Sequence, residues 1–395
     1  MIKREDTPAL LTGLMATFAG LGVARFAFTP LIPELIHQAW FHDSQAVYLG
    51  AAALLGYLAG ALSGNRISQR MSLRPLMRLC FLGVAMSFVA CALPGSFEWF
   101  FLWRFIAGAC GAILMVVGPS TALTATPESR RTEVGAYVFT GIGLGAALSA
   151  LVMPMLLQYS LSLTWLTLAG LAALAGLICD KSLARLSRPQ GRPSVSATTS
   201  TAHVYSRWAL VVVLVAYALD AIGYVPHTVF WVDFLDREKA LGMQAASTQW
   251  VVFGMGAVCG PFIAGALAKR IGWGSGLILA FCAKALAVSL PLLSVDLYSR
   301  TLSSFVVGAM VPAIVALTSG RIAELVGPAE HKRYWGTATA VFAVAQAFSG
   351  HGLSTLYGVL ESYFLLFLIG SVTLAVAALL LALSQTASGQ RTSST

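Results

Sequence analysis

One loop occurs twice in this chain. Pro127-Glu128-Ser129-Arg130-Arg131-Thr132-Glu133-Val134-Gly135 and Pro328-Ala329-Glu330-His331-Lys332-Arg333-Tyr334-Trp335-Gly336 both run from Pro to Gly in eight steps with basic residues between, 201 positions apart. Gly60-Ala61-Leu62-Ser63 pairs in the same way with Gly265-Ala266-Leu267-Ala268, each followed by an arginine, Arg66 and Arg270. Phe105, Gly108 and Ala109 pair with Phe305, Gly308 and Ala309. The chain is therefore a unit of roughly 200 residues written twice, and whatever one copy folds into the other must also fold into.

Composition says where that unit lives. Apolar residues make up 57% of the chain and charged residues 10%, against about 25% charged in a soluble domain. In water such a surface aggregates; in a bilayer it is the solvated surface. A spanning helix needs about 20 apolar residues. Twelve segments qualify: 9–35, 46–64, 76–94, 98–121, 135–157, 163–180, 208–232, 247–268, 275–294, 300–320, 336–357 and 362–384. Between the sixth and seventh lies the one long polar stretch, 181–207, with Lys181, Arg185, Arg188, Arg192 and a Ser/Thr/Ala run. It cannot bury enough apolar surface to fold alone and reads as a flexible linker. The expected fold is an all-α integral membrane protein of twelve helices in two pseudo-symmetric six-helix bundles, 1–180 and 208–395. Internal repeats in such a chain are characteristic of secondary transporters. The first apolar segment is too long for a signal-peptide core and lacks a small-residue cleavage site, so no cleaved leader is expected. The six cysteines, Cys80, Cys91, Cys110, Cys179, Cys259 and Cys282, lie in apolar segments with no metal-ligand spacing and read as small core residues.

Orientation follows from the basic residues. With the N-terminus cytoplasmic, 19 of the 25 Lys and Arg residues fall on the cytoplasmic side; only Arg237, Lys239 and Arg300 fall opposite, and Arg25, Arg104 and Lys284 lie inside helices. Both termini and the 181–207 loop are thus expected in the cytoplasm. The net charge of +9 is then positive-inside bias rather than a nucleic-acid patch, and no nucleic-acid partner is expected.

An ionisable group at mid-membrane is costly and therefore usually paired, and often functional. Asp220 is read as the lone carboxylate deep within a helix. With Tyr217, Tyr224, His227 and Trp231 it forms a stripe at spacings 3-4-3-4, one helix face, and Pro226 interrupts the helix inside that stripe. The face must look into protein or water; Asp220 either takes part in function or neutralises a buried base. Arg25 shares a face with Phe18, Gly22 and Thr29; its rigid donor fork suits an anionic solute group, and it serves equally as a fixed counter-ion for Asp220. Arg104 heads a face with Gly108, Gly111, Met115 and Gly118. Lys284, in a helix without another charge, reads as packed against a carbonyl or acid inside one half. Gln346 shares a face with Thr339, Phe342 and Ser349 and is either interhelical glue or cavity lining. His37, His42 and His203 fall in loops and receive no role. The glycine rows Gly56-Gly60-Gly64, Gly256-Gly260 and Gly141-Gly143-Gly145 permit close helix contact, as rigid packing or as a seam that rocks. No Walker loop, H-E-x-x-H or G-x-S-x-G motif occurs, so no enzyme, metal or cofactor is expected.

These features resemble the major facilitator superfamily over the whole chain. That family's loop signature, G-x-L-a-D-R-x-G-R-[RK], is matched by Gly265-Ala266-Leu267-Ala268-Lys269-Arg270-Ile271-Gly272 with Lys269 at the acid position. The first copy, Asn65-Arg66-Ile67-Ser68-Gln69-Arg70, has Asn for Asp and Ser for Gly, which weakens a charge-locked gate there. Arg104 to Gly108 matches the R-x-x-x-G signature that the family links to proton coupling, while its helix-five Gly-Pro pair is absent from Gly141–Gly145. The run Gly22 to Pro33 looks like bacterial members of about 400 residues whose substrates are largely unassigned. The resemblance implies a monomer in the bacterial inner membrane with a cavity between the two bundles, lined from the first, fourth, seventh and tenth helices. It implies transport of a small organic solute; the residues themselves assign proton coupling to Asp220, and Arg25 with Arg104 favours an anionic or zwitterionic solute. Uncoupled facilitation, or a sensor that binds without transport, are the rivals.

Overall fold

The structure, a computed structural model, describes residues 3–186 and 207–392; most of the expected linker lies outside the described residues. Among them every regular element is a helix. In chain order the α-helices are α1 (Thr7–Thr17), α2 (Leu31–His37), α3 (Asp43–Arg70), α4 (Leu73–Ala90), α5 (Phe97–Thr124), α6 (Glu128–Leu157), α7 (Leu161–Leu186), α8 (Arg207–Gly223), α9 (Trp231–Asp233), α10 (Met243–Leu293), α11 (Leu297–Leu360) and α12 (Phe364–Thr392).

Ten helical stretches among the described residues are long and apolar enough to cross a membrane. The expected segments 247–268 and, but for its last residue, 275–294 fall within one of them, Met243–Leu293. The expected segment 336–357 is not among the ten; it forms the second arm of α11, where Thr339, Gln346, Ser349, His351 and Ser354 dilute the apolar content. Both long helices are interrupted by a glycine in the left-handed half of backbone space, α10 at Gly272 (φ 82°, ψ 166°) and α11 at Gly327 (φ 74°, ψ 170°). Side-chain-bearing residues rarely adopt these angles, so each glycine marks a kink at which one helical arm ends and the next begins. Gly272 is the last residue of the loop signature.

The duplication is visible atom by atom in the packing. In the first half α3 lies against α5 so closely that a Cβ added at Gly56, Gly60 or Gly108 would sit 2.0, 2.2 or 2.0 Å from the carbonyl oxygens of Phe105, Ala109 and Ala53. In the second half Gly256, Gly260 and Gly308 would clash at 2.1, 2.2 and 2.0 Å with those of Phe305, Ala309 and Phe253. Every pair is displaced by 200 residues, so Gly60 has its counterpart in Gly260. The match of Gly60 with Gly265 fails in three dimensions: nothing lies within 4 Å of a Cβ built at Gly265. Helix contact preserves register, whereas the loop signature beyond it has drifted by about one helical turn. The capping repeats too: the Ser96 hydroxyl accepts from Trp99 N at the start of α5, and the Asp296 carboxylate from Tyr298 N and Ser299 N at the start of α11.

These glycines pack helices within one half. The seam between halves uses others: Cβ atoms at Gly143 of α6 and Gly254 of α10 would each come within 2.6 Å of the opposite helix. At the end of the molecule holding residues 38–42, the halves are joined by polar contacts. Arg237 Nη1 donates to Asp43 at 2.5 Å, His37 Nε2 lies 3.4 Å from Asp236, and Tyr48 and Thr355 share a hydrogen bond of 2.5 Å. His37 is therefore engaged, contrary to its reading as a loop residue without a role; His203 lies outside the described residues. At the opposite end Arg74 and Arg78 of α4 both grip Asp180 of α7 at 2.6 Å, and Arg130 of α6 holds Asp6 at 2.8 Å. All six cysteines are free, and Cys80, Cys91 and Cys179 are buried, but Cys259 and Cys282 are exposed rather than core.

Candidate functional site

The first apolar helix does not stay α-helical. α1 passes into a π-helical stretch, Phe18–Val23, leaves helical geometry at Arg25 (φ −112°, ψ −59°), makes a short 3-10 turn at Phe26–Phe28 and resumes as α2 after Pro30. The seventh breaks likewise: α8 ends at Gly223, π-helical Pro226–Phe230 follows, then α9 and a second π stretch, Phe234–Glu238. Pro226 lacks the N–H that would continue the ladder. Carbonyls freed at membrane depth need protein donors, and side chains supply them. Arg104 Nη2 donates to Ala24 O at 2.9 Å, Trp250 Nε1 to Phe26 O at 3.0 Å, and Thr29 Oγ1 to Thr228 O at 2.5 Å. The last two reach across from one half to the other.

Between the two breaks lie the buried charges. Lys284 Nζ of α10 donates to Asp220 Oδ1 of α8 at 2.6 Å, with both side chains out of solvent. Asp220 thus has its counter-ion inside the second half, and that counter-ion is Lys284, not Arg25. Lys284 belongs to this cluster, and Asp220 is the acid inside one half against which the sequence reading packs it. The Lys284 ammonium lies 5.1 Å from the centre of the Tyr224 ring, and the Arg25 guanidinium lies 5.0 Å from the same centre. Each is within cation–π range, so a single aromatic ring links the cation of the first half to the ion pair of the second. Tyr224 donates its hydroxyl to Gln346 Oε1 of α11 at 2.5 Å. Arg25 Nε and Nη2 are buried with no acceptor among the described residues.

The expected stripe divides in two. Tyr217 and Tyr224 face α11, with their rings 4.6 and 5.7 Å from Phe342. His227 and Trp231 stack on each other at 4.5 Å and bond into the second half, His227 Nε2 with Ser303 Oγ at 2.8 Å and Trp231 Nε1 with Ser304 Oγ at 3.0 Å. The physical reason is the π-helical turn at Pro226, which is wider than 3.6 residues and breaks the face that the α-period extrapolates. Asp220 is also not the lone buried carboxylate: Asp233 and Asp236 are buried near the 38–42 end, Asp233 gripped by Arg237 at 2.5 and 2.7 Å. The i,i+4 spacing of Asp233 and Arg237 was the sequence sign of that pair.

Arg104 is fully buried, 4.2 Å from the centre of the Phe28 ring, with Nε and Nη1 lacking acceptors among the described residues. A small cavity of about 10 Å³ is lined by Arg25, Arg104, Thr29, Thr228 and apolar neighbours including Ile32 and Leu54. The loop-signature residues do not join this cluster: Arg66, Arg70, Lys269 and Arg270 are exposed near the other end, and the Asn65 side chain lies outside the described residues. The arrangement offers a fixed pair of guanidinium groups, an acid–base pair that can exchange a proton, and a tyrosine between them.

Comparison with known proteins places this geometry. The model of a family described as "Uncharacterised MFS-type transporter YbfB" matches residues 17–382. Among curated relatives, the uncharacterized MFS-type transporter YceJ of Bacillus subtilis is 24% identical over 262 residues, covering 64% of this chain and 65% of that protein. The class E tetracycline resistance protein of Escherichia coli is 25% identical, covering 64% of each chain. The class D tetracycline resistance protein of Salmonella ordonez is 26% identical over 312 residues, covering 77% and 75%. The chain thus spans just under two thirds of the length of the first two.

Proposed function

This chain belongs to the YbfB-type family of MFS transporters, and on that premise we propose that it is a secondary active transporter of a small anionic or zwitterionic organic solute, driven by protons through the Asp220–Lys284 pair. The observation that carries this reading is the meeting of two interrupted helices, one in each half, with Arg25 and the Asp220–Lys284 pair both beside Tyr224. Interrupted helices at corresponding places in two repeats are where membrane transporters bind substrate and coupling ion. Dividing α10 at Gly272 and α11 at Gly327 supports a count of twelve spans in two bundles of six, 1–180 and 208–395, and the basic-residue bias supports cytoplasmic termini in a bacterial inner membrane. The bundles then rock about the α6–α10 seam and open alternately to either side.

In this mechanism Arg25 holds the solute's negative group with its unpaired N–H donors. A proton reaching Asp220 releases Lys284 from its partner, and the freed cation alters the charge beside Tyr224. The hydrogen bond from Tyr224 to Gln346 carries that change to α11. Binding energies that differ between the two states are what let a proton bias the transition. The relatives named for tetracycline resistance make tetracyclines sensible first solutes.

The test is transport into proteoliposomes with and without an imposed pH gradient, using solutes that raise the melting temperature of the purified protein. Asp220→Asn, and Asp220→Asn with Lys284→Gln to remove both charges, are expected to retain solute exchange and lose gradient-driven accumulation. Uphill transport by the double variant would remove the coupling role from this pair. One observation favours uncoupled facilitation instead: the acid is already held by a base. Parent protein that equilibrates solute identically at every pH gradient would decide for that rival.

A further inference from the structure

The buried charges of this molecule do not balance where the halves meet. Among the described residues three buried carboxylates each have a cation, Asp6 with Arg130, Asp220 with Lys284 and Asp233 with Arg237, and Asp236 lies 3.4 Å from the His37 imidazole. Among these residues Arg25 and Arg104 have no carboxylate. Arg25 is 8% exposed and Arg104 is 0% exposed, and between them Arg25 Nε, Arg25 Nη2, Arg104 Nε and Arg104 Nη1 meet no acceptor among the described residues. Guanidinium does not relieve such a burden by losing its proton, and an uncompensated charge in a dry interior is strongly destabilising. Stacking on Phe28 and Tyr224 offsets only part of this.

Both arginines line the same small cavity, with Thr29 and Thr228 and a wall of Ile32, Leu54 and Val229. We propose that this cavity is a site for a small inorganic anion, chloride in ordinary media, held between Arg25 and Arg104 at the junction of the two halves. Its volume of about 10 Å³ admits one occupant near the size of a water molecule. The Arg25 donors that face it are those assigned above to the solute's negative group, so the ion occupies them in this conformation and a bound solute would displace it. The Thr29 hydroxyl is committed to Thr228 O at 2.5 Å, so the two guanidinium groups supply the charge-assisted donors. The ion would neutralise part of the paired positive charge and tie the break in the first helix to α5, leaving Arg25 its cation–π contact with Tyr224. The inference goes beyond the transport reading and fails separately from it: a chain that couples no protons can still hold the ion.

The probe is chloride. Full-length protein in detergent is melted in sodium chloride and in sodium gluconate at equal ionic strength, and binding of radiochloride is measured on the same sample. A saturable rise in melting temperature with chloride or bromide but not gluconate, and one chloride bound per chain, is expected. Arg104→Gln and Arg25→Gln should each abolish the chloride-dependent rise. Should those variants fail to accumulate, Gly50→Ala carries the test. Its Cβ would lie 2.9 Å from Val229 Cγ1 at the cavity wall and is expected to raise the half-saturating chloride concentration about tenfold. Identical melting in the two salts together with no saturable radiochloride binding by the parent protein would overturn the proposal and assign the cavity to water.

Discussion

The two halves share a scaffold and differ in charge. At positions 56, 60, 105, 108 and 109 and their counterparts 200 residues on, the same residue types make the same backbone approaches within 0.1 Å. At 104 the first half carries an arginine that satisfies a broken helix and has no carboxylate; at 304 the second half carries a serine between Trp231 and Gln249. The second half places its buried cation elsewhere, at Lys284, and gives it an acid. Close helix packing is set by backbone shape, which tolerates little change, so both copies kept it. Buried charge is constrained only by having a partner, so one half could become a fixed cation and the other a titratable pair.

The largest effect should come from breaking the charge asymmetry. Asp220→Ala strands a buried lysine and should cost about 3–5 kcal/mol of stability, while adding Lys284→Met should recover most of it. Arg104→Met, which strands no opposite charge, should cost less, about 1–3 kcal/mol for the unpaired Ala24 carbonyl. Thermal unfolding in detergent measures all three; equal losses for Asp220→Ala and the double variant would deny that the pair is a pair.

The scaffold symmetry is sharpened by glycine. Gly56→Ala and Gly256→Ala should be destabilising by similar amounts, about 1–3 kcal/mol or more, because each new Cβ meets backbone rather than a movable side chain. Gly265→Ala, with open space around it, should be neutral or gain about 0.5–1 kcal/mol from helix propensity. A large loss at Gly265 would restore it as the counterpart of Gly60.

A smaller effect tests the contact between halves. Thr29→Val removes the bond to Thr228 O and should cost about 1 kcal/mol. It should also raise the labelling rate of a cysteine placed at Thr228, because the breaks of the two helices then separate more readily.

The smallest concerns the repeated helix caps. The Ser294 hydroxyl, followed by the Ser299 N–H, holds the Asp296 carboxyl down to about 2 from its usual 3.8. Its folded value is depressed, so its contribution is present above pH 3.8 and is lost as pH falls through about 2. Amide exchange in the first turn after Asp296 should accelerate over that window, and the first turn after Ser96, whose cap is a neutral hydroxyl, should show no such step.

Much of the outline was legible from residue types alone. Periodic apolar segments, the 200-residue repeat and the scarcity of charge follow from the bilayer's demand that each span be apolar and internally hydrogen-bonded, and that demand is local. The duplicated Phe-x-x-Gly-Ala motif located the tight contacts because glycine is needed wherever backbones touch. Arg25, Thr29, Asp220, Tyr224 and Gln346 were legible as a set because polar residues are costly in lipid and cluster away from it.

The tertiary structure decided everything that depends on which helix lies beside which. It gave Asp220 to Lys284, 64 positions away, turned Arg104 toward the carbonyl of Ala24, and closed the 38–42 end through Arg237 and His37. It split the Tyr217-to-Trp231 stripe, because a π-helical turn changes the angular advance per residue and no α-period anticipates it. It left the two loop signatures exposed, away from the buried charges. Local sequence fixes what a segment must bury and how it turns; the partner of a buried charge is fixed by long-range packing, where many residues share one minimum.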